Sequence, residues 1–276
     1  GQGDIIASVL RRISIKGVLQ KQGNILTSTP LKLRSDKLDG ELVALADLKT
    51  GRYDLALSGM IRGLEIRGFG VVDVQSKITA KPDARGAFSL SGRVAAAMRR
   101  LDNAFLRTLG GGLPRLQSDI ALGPDGRLQL RNLSLRAPLL SLNGSGVRNP
   151  DGTVRIMGNG RHARYGPLRL TLTGKLDRPA VDALLSRPLD SAGLADVHLI
   201  LTPDPIGYAY TANGQSTLGP FDSTGAIELP PGGGQSAIRV DTLKVSGSDG
   251  QGRLVIVPGG LSGRLLFAGP AHGAID

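Results

Sequence analysis

The chain has 276 residues, room for one large β unit or two ordinary domains, and its 40% hydrophobic content excludes a chain disordered by composition. With 3% aromatics, no Trp and no Cys, it lacks the aromatic anchors of a dense core, disulfides, thiolate metal sites and cysteine nucleophiles. The net charge of +11 suits nucleic acid, anionic lipid headgroups or an acidic partner.

The chain opens at Gly1, Gln2 and Gly3 without an initiator Met or a leader, as a piece of a longer protein would. No stretch reaches the ~18 apolar residues of a membrane span. Strand-type alternation begins where Tyr53, Leu55 and Leu57 alternate with Asp54, Ala56 and Ser58. Pro82, Asp83 and Gly86 signal a turn, and Phe88 and Leu90 then alternate with Ser89 and Ser91. Val94, Met98, Leu101, Phe105 and Leu109 recur at three or four, which predicts an amphipathic helix over residues 94–109, ended by Gly110, Gly111 and Gly112.

After a turn at residues 123–126 come alternating runs at 128–135 and 140–144, the second with Leu140 and Leu142. A turn at 149–152 leads to residues 153–157 and to the cleanest run, where Leu168, Leu170 and Leu172 alternate with Arg169, Thr171 and Thr173. Residues 179–194 are mixed, with Pro179, Pro188 and Gly193 limiting any helix to a turn or two. Residues 230–234 form a Pro- and Gly-rich loop. Leu243 and Val245 precede a turn expected at Ser248, Asp249 and Gly250, a last run follows at 261–265, and the end frays after Gly269. Glycines at 59, 92, 144, 174, 247 and 263 recur at these runs, where each marks a bulge, a sharp bend or a close backbone approach, and their recurrence suggests a curved sheet.

Chemistry is sparse. His162, His198 and His272 lie far apart, His198 on the wet side of a strand, so neither a metal site nor any other cofactor is expected. Gly158, Gly160 and Ala163 match a loose dinucleotide pattern, but a strand follows where a phosphate-binding helix is required. No constellation of acid, base and nucleophile exists, so the chain reads as no enzyme and has no catalytic residues. The basic residues alternate with apolar ones as on the solvated face of a sheet. A headgroup-attracting rim is the second reading, and nucleic-acid binding the weakest, because stacking aromatics are missing.

The fold class is therefore all-β: a long, curled, mostly antiparallel sheet with one or two short helices, a single elongated segment over residues 1–276. A row of strands with one apolar face must close, pack or enclose something apolar. Medium aliphatic side chains and bending glycines favour a groove. Its lining is assigned to Leu55, Leu57, Phe88, Leu90, Leu140, Leu142, Leu168, Leu170, Leu172, Leu243 and Val245, with Ser89, Arg169 and Thr171 outward. At about 4.8 Å per strand, 18 to 20 strands make a groove on the order of 80–90 Å long, a conduit rather than a pocket.

Residues 51–55, 98–105, 163–168, 187–190, 207–210 and 217–221 carry phrases such as Gly51-Arg52-Tyr53-Asp54-Leu55 and Ala163-Arg164-Tyr165-Gly166-Pro167-Leu168. Together they resemble TamB-type proteins (translocation and assembly module, AsmA-like) of alphaproteobacteria over about residues 25–257. The resemblance implies a periplasmic β-taco held in the inner membrane by an anchor outside this chain, with a BamA-like outer-membrane barrel protein as partner. It implies phospholipid, held by its acyl chains, passing between the membranes, and a role in outer-membrane protein assembly. A strand-templating scaffold without lipid conduction is the alternative.

Overall fold

The computed structural model describes residues 12–66, 70–102, 104–175, 178–188, 193–229, 235–257 and 260–269. In them 20 strands belong to one antiparallel sheet, and the chain is all-β. It divides into two compact units, Gly1–Pro138 with Leu142–Thr153, and Leu139–Ser141 with Val154–Asp276. The expected loop at 230–234 and the end after Gly269 lie outside the described residues.

The first unit opens with β1 (Ser14–Lys16), β2 (Leu19–Gln22), β3 (Ile25–Ser28), β4 (Leu31–Arg34) and β5 (Leu38–Asp47). Both β3 and β4 pair with β5, because Pro30 lacks the N–H that would continue a single strand between them. A meander follows: β6 (Arg52–Ile66), β7 (Gly70–Pro82), β8 (Phe88–Leu101), β9 (Arg115–Leu122) and β10 (Leu128–Arg136), each paired antiparallel with the next. β11 (Leu140–Arg148) crosses the division between the units.

The second unit contains β12 (Thr153–His162), β13 (Gly166–Lys175), β14 (Ala180–Leu185), β15 (Ala195–Asp204), β16 (Gly207–Ser216), β17 (Gly219–Glu228), β18 (Ala237–Val245), β19 (Ser248–Val257) and β20 (Gly260–Ala268). From β13 to β20 every strand pairs with its successor, and β20 has β19 as its one ladder partner among the described residues.

The turns at 82–86, 123–126 and 149–152 share one design. Gly86, Gly126 and Gly152 all have positive φ, and their N–H groups donate to Asp83, Gly123 and Asn149 carbonyls at 3.0 Å. The turn expected at Ser248–Gly250 lies two residues earlier. Ser246 (φ 50°) and Gly247 (φ 78°) carry it, and Ser248 already starts β19. Two consecutive left-handed residues match the twist of a tight hairpin, so Gly247 is a turn glycine rather than a bend within a strand.

The helix expected over 94–109 is corrected. Residues 94–101 continue β8, and the one helix among the described residues, α1, spans Ala104–Gly110. Val72 pairs with Met98 and Val71 with Arg100, which leaves Arg99 as an extra, bulged residue. A bulge turns the two-residue spacing of one face into three. Met98 and Leu101 thereby share a face at helical spacing while remaining in a strand.

A second bulge sets Ile61 and Leu64 on one face of β6, with Gly63 at φ 61°. Asp73, on the strand between these bulges, binds both: Gly63 N–H donates to its Oδ1 (2.8 Å) and Arg99 Nε to its Oδ2 (2.7 Å). Asp119 repeats the device on β9, accepting from Asn132 (φ 49°, in the β10 bulge) at 2.8 Å and from Arg93 at 3.0 Å. Local bends are thus pinned by carboxylates one strand away.

Candidate functional site

Ladder register assembles the apolar face of the first unit into continuous cross-strand rows. One row runs Leu31, Leu42, Leu57, Ile78, Gly92, Ile120, Leu130 from β4 to β10. The next runs Ala44, Leu55, Ala80, Leu90, Leu122, Leu128, and a third Leu38, Ile61, Val74, Ala96, Leu116, Leu135. Except for Ala80, which is buried, every member of these rows is half-buried. A sealed layer would bury such leucines outright, so this face is shielded without being closed. Seven strands at about 4.8 Å make the first row about 29 Å long, close to the hydrocarbon thickness of a bilayer.

The opposite face of the same strands carries Lys32, Glu41, Ser58, Lys77, Arg93, Asp119 and Arg131 in one row of mixed sign. A concavity of about 910 Å³ lies on this polar side, bordered by Asp39, Glu41, Lys77, Arg93 and the backbones of Gly40, Gly59 and Gly92. Those glycines sit where neighbouring backbones approach closely. A Cβ on Gly59 would lie 2.9 Å from the Asp39 carbonyl oxygen and the Gly40 Cα, and one on Gly92 would overlap the Lys77 carbonyl oxygen. Of the readings open for Gly59 and Gly92, the close backbone approach is the one seen, and no side chain fits there.

The second unit differs. Leu172, Val181, Leu201, Tyr210, Gly225 and Val240 form one row, and Leu170, Ala183, Leu199, Ala212, Ser223 and Leu243 another. Here Leu201, Tyr208, Tyr210 and Ile227 form a buried cluster, packed against Val181, Leu199 and Ile238. Two of the chain's four tyrosines seal it. The Tyr210 ring lies over the paired Gly225, and the Phe267 ring over Gly250, so aromatics cover strand glycines across the ladder. Tyr210 Oη meets Ser223 Oγ at 3.1 Å, and burial pushes the phenol up from its ordinary value.

Each expected lining residue can now be placed. Leu55 and Leu90 share a row and Leu57 lies in the adjacent one, and all three are half-buried. Leu170 and Leu243 share a row; Leu168, Leu172 and Val245 are half-buried, as are Leu140 and Leu142 on β11. Phe88, at the first position of β8 opposite Pro82, is 47% exposed, because a hairpin end has no flanking strand to cover it. Arg169 is exposed, while Ser89 and Thr171 are half-buried. Leu42, Ile78, Ile120, Leu122, Leu128 and Leu130 escaped assignment, although 128–135 alternates plainly; only the register shows that they join Leu55 and Leu57.

The histidines have local roles. Buried His162 accepts the N–H groups of Arg164 (3.1 Å) and Tyr165 (3.2 Å) at Nδ1, and its ring stacks on Tyr165 with centroids 4.4 Å apart, which fixes the β12–β13 turn. The residues matching the dinucleotide pattern are thus the end of a strand and a capped turn. His198 Nε2 lies 2.9 Å from Asp182 Oδ1 on the polar face. No group of residues able to hold a metal ion occurs among the described residues. No described helix is long and apolar enough to cross a membrane. No protein-family model matches the chain, and no curated protein matches it.

Proposed function

We propose that the chain is a segment of a periplasmic, bridge-like scaffold of the TamB type that holds or conducts phospholipid between two membranes and assists outer-membrane protein assembly. The observation that carries this reading is the set of largely half-buried aliphatic rows of the first unit, among them the row of Leu57 and Ile78. An acyl chain laid along them removes apolar surface from water at about 0.8 kcal/mol per CH₂. The TamB-like phrases supply the compartment, the inner-membrane anchor outside this chain and the BamA-like partner. A photo-crosslinking residue at Leu57 or Leu130 should capture phospholipid in cells, and one at Lys77 or Arg131 should not. Equal capture on both faces overturns the reading.

The strand-templating alternative draws on β20. Its outer edge is unpaired among the described residues, and Leu261 and Leu266 are exposed on it. Crosslinks from β20 to an outer-membrane protein, with no lipid at Leu57, would favour it.

A further inference from the structure

The chain's positive charge is unevenly compensated. Several arginines on the polar face meet carboxylates: Arg93 with Asp119 (3.0 Å), Arg99 with Asp73 (2.7 Å), Arg239 with Asp241 (2.8 Å) and Arg253 with Glu228 (2.7 Å). The β12–β13 hairpin concentrates cations without such partners. Residues 154–175 contain Arg155, Arg161, Arg164, Arg169 and Lys175 and no acidic residue. All five are exposed, and Arg155, Arg161, Arg164 and Arg169 enter no ion pair among the described residues.

Alternation sorts these side chains onto one face. On β12, Val154, Ile156 and His162 are shielded, and Arg155, Met157, Asn159 and Arg161 are exposed. Arg169 Nε on β13 reaches Asn159 Oδ1 at 3.3 Å, so Arg169 shares that face. Arg155 and Arg161 stand six residues apart, about 20 Å along the strand. Exposed apolar residues lie among the cations: Met157 (49%), Leu184, which pairs with Arg169, and Ile200, which pairs with Asp182. Asp182, on the next strand, is contacted by His198. The His162 cap fixes the turn of the hairpin, so its backbone needs no ordering on binding.

We infer that this outer face of β12–β15 docks on an anionic phospholipid surface, with Arg155, Arg161 and Arg169 at the headgroup phosphates and Met157 and Leu184 at the interface. Broadly spaced guanidinium groups around exposed aliphatic side chains match a surface that is anionic outside and apolar beneath. A nucleic acid would call for aromatic stacking surfaces, and the one aromatic at this hairpin, Tyr165, is stacked on His162. An acidic polypeptide would match the charge and leave the exposed Met157, Leu184 and Ile200 unexplained. Within its own unit this face is opposite to the row of Leu170 and Ala183, and lipid holding is assigned to the first unit, so docking and lipid holding stand or fall separately.

The test is flotation of the 276-residue chain with vesicles of phosphatidylcholine, alone or with added phosphatidylglycerol. Binding should require phosphatidylglycerol and vanish in about 1 M salt, where the screening length is about 3 Å. At roughly fivefold per charge, replacing Arg155, Arg161 and Arg169 together by Gln should weaken binding on the order of 100-fold. The triple Arg→Lys variant should bind as the parent does, as should Lys77→Gln. Equal binding to neutral vesicles, or undiminished binding by the triple Gln variant, overturns docking. Displacement by polyglutamate at a lower charge equivalent than anionic vesicles overturns it in favour of an acidic polypeptide. Should the Gln variant lose its β-sheet circular dichroism, the salt dependence of the parent and the binding of the Lys variant decide.

Discussion

Replacing Leu57 by aspartate puts a carboxylate between Leu42 and Ile78, at the middle of the longest aliphatic row. The ladder needs only backbone groups there, so the strands still pair. An acyl chain on that row must then either leave or enclose an ion, at about 3 kcal/mol by membrane-insertion scales. It also loses the rest of the leucine's burial, about 1 kcal/mol for a side chain already half-shielded. Together these make about 4 kcal/mol, or roughly a thousandfold in affinity. The control is Ala56→Asp, one residue away, exposed, and paired with Val43 and Thr79 on the polar face. Titration with a polarity-sensitive fluorescent phospholipid measures both, with folding checked by circular dichroism and protease resistance. If folded Leu57→Asp binds the probe as tightly as Ala56→Asp, the aliphatic rows are not the lipid site.

Three further outcomes follow from the geometry. Gly92→Ala, whose Cβ would overlap the Lys77 carbonyl oxygen, should cost about 1–3 kcal/mol in denaturant unfolding, whereas Gly51→Ala, with open space around it, should show the smaller cost of a strained positive φ; equal costs would deny the close approach. His162→Ala should cost about 1–3 kcal/mol by leaving two turn N–H groups without their acceptor, and hydrogen exchange at Arg164 and Tyr165 should accelerate, while unchanged exchange would count against the cap.

The acid side of the stability curve supplies the third. The Gly63 N–H and then Arg99 hold Asp73 below its ordinary value of 3.8, and Asn132 and then Arg93 do the same for Asp119. A carboxylate with a depressed folded pKa contributes fully above its unfolded value and loses that contribution as pH falls through the folded one. Thermal stability should therefore decline below about pH 4, and the Asp73→Asn/Asp119→Asn double variant should decline less steeply; parallel acid slopes would remove the bulge carboxylates from the account.

Alternation made the strand content and much of the face assignment legible, as at residues 53–58, where Leu55 and Leu57 are half-buried between exposed neighbours. It failed where the two-residue period is broken. The Arg99 bulge produced a helical spacing inside β8, and Ser246 gave no sign that a left-handed residue would move the turn ahead of Ser248. Phe88 shares the face of Leu90 and is nevertheless exposed, because a strand's first residue lacks neighbours on one side. Compositional scarcity of aromatics suggested an aliphatic interior throughout, yet Tyr208 and Tyr210 concentrate in one sealed cluster of the second unit. Which cations are compensated depends on ladder register, as Arg93 with Asp119 shows, so it could not be read from the charge of residues 154–175 alone.

The central claim is that the open aliphatic face of the first unit holds lipid. Mass spectrometry of an organic extract of the denatured, purified chain tests it most directly. A lipid-holding face yields phospholipid near or above one molecule per chain, reduced to background in Leu57→Asp and retained in Ala56→Asp. A lipid-free extract from folded parent protein, purified without detergent, would contradict it.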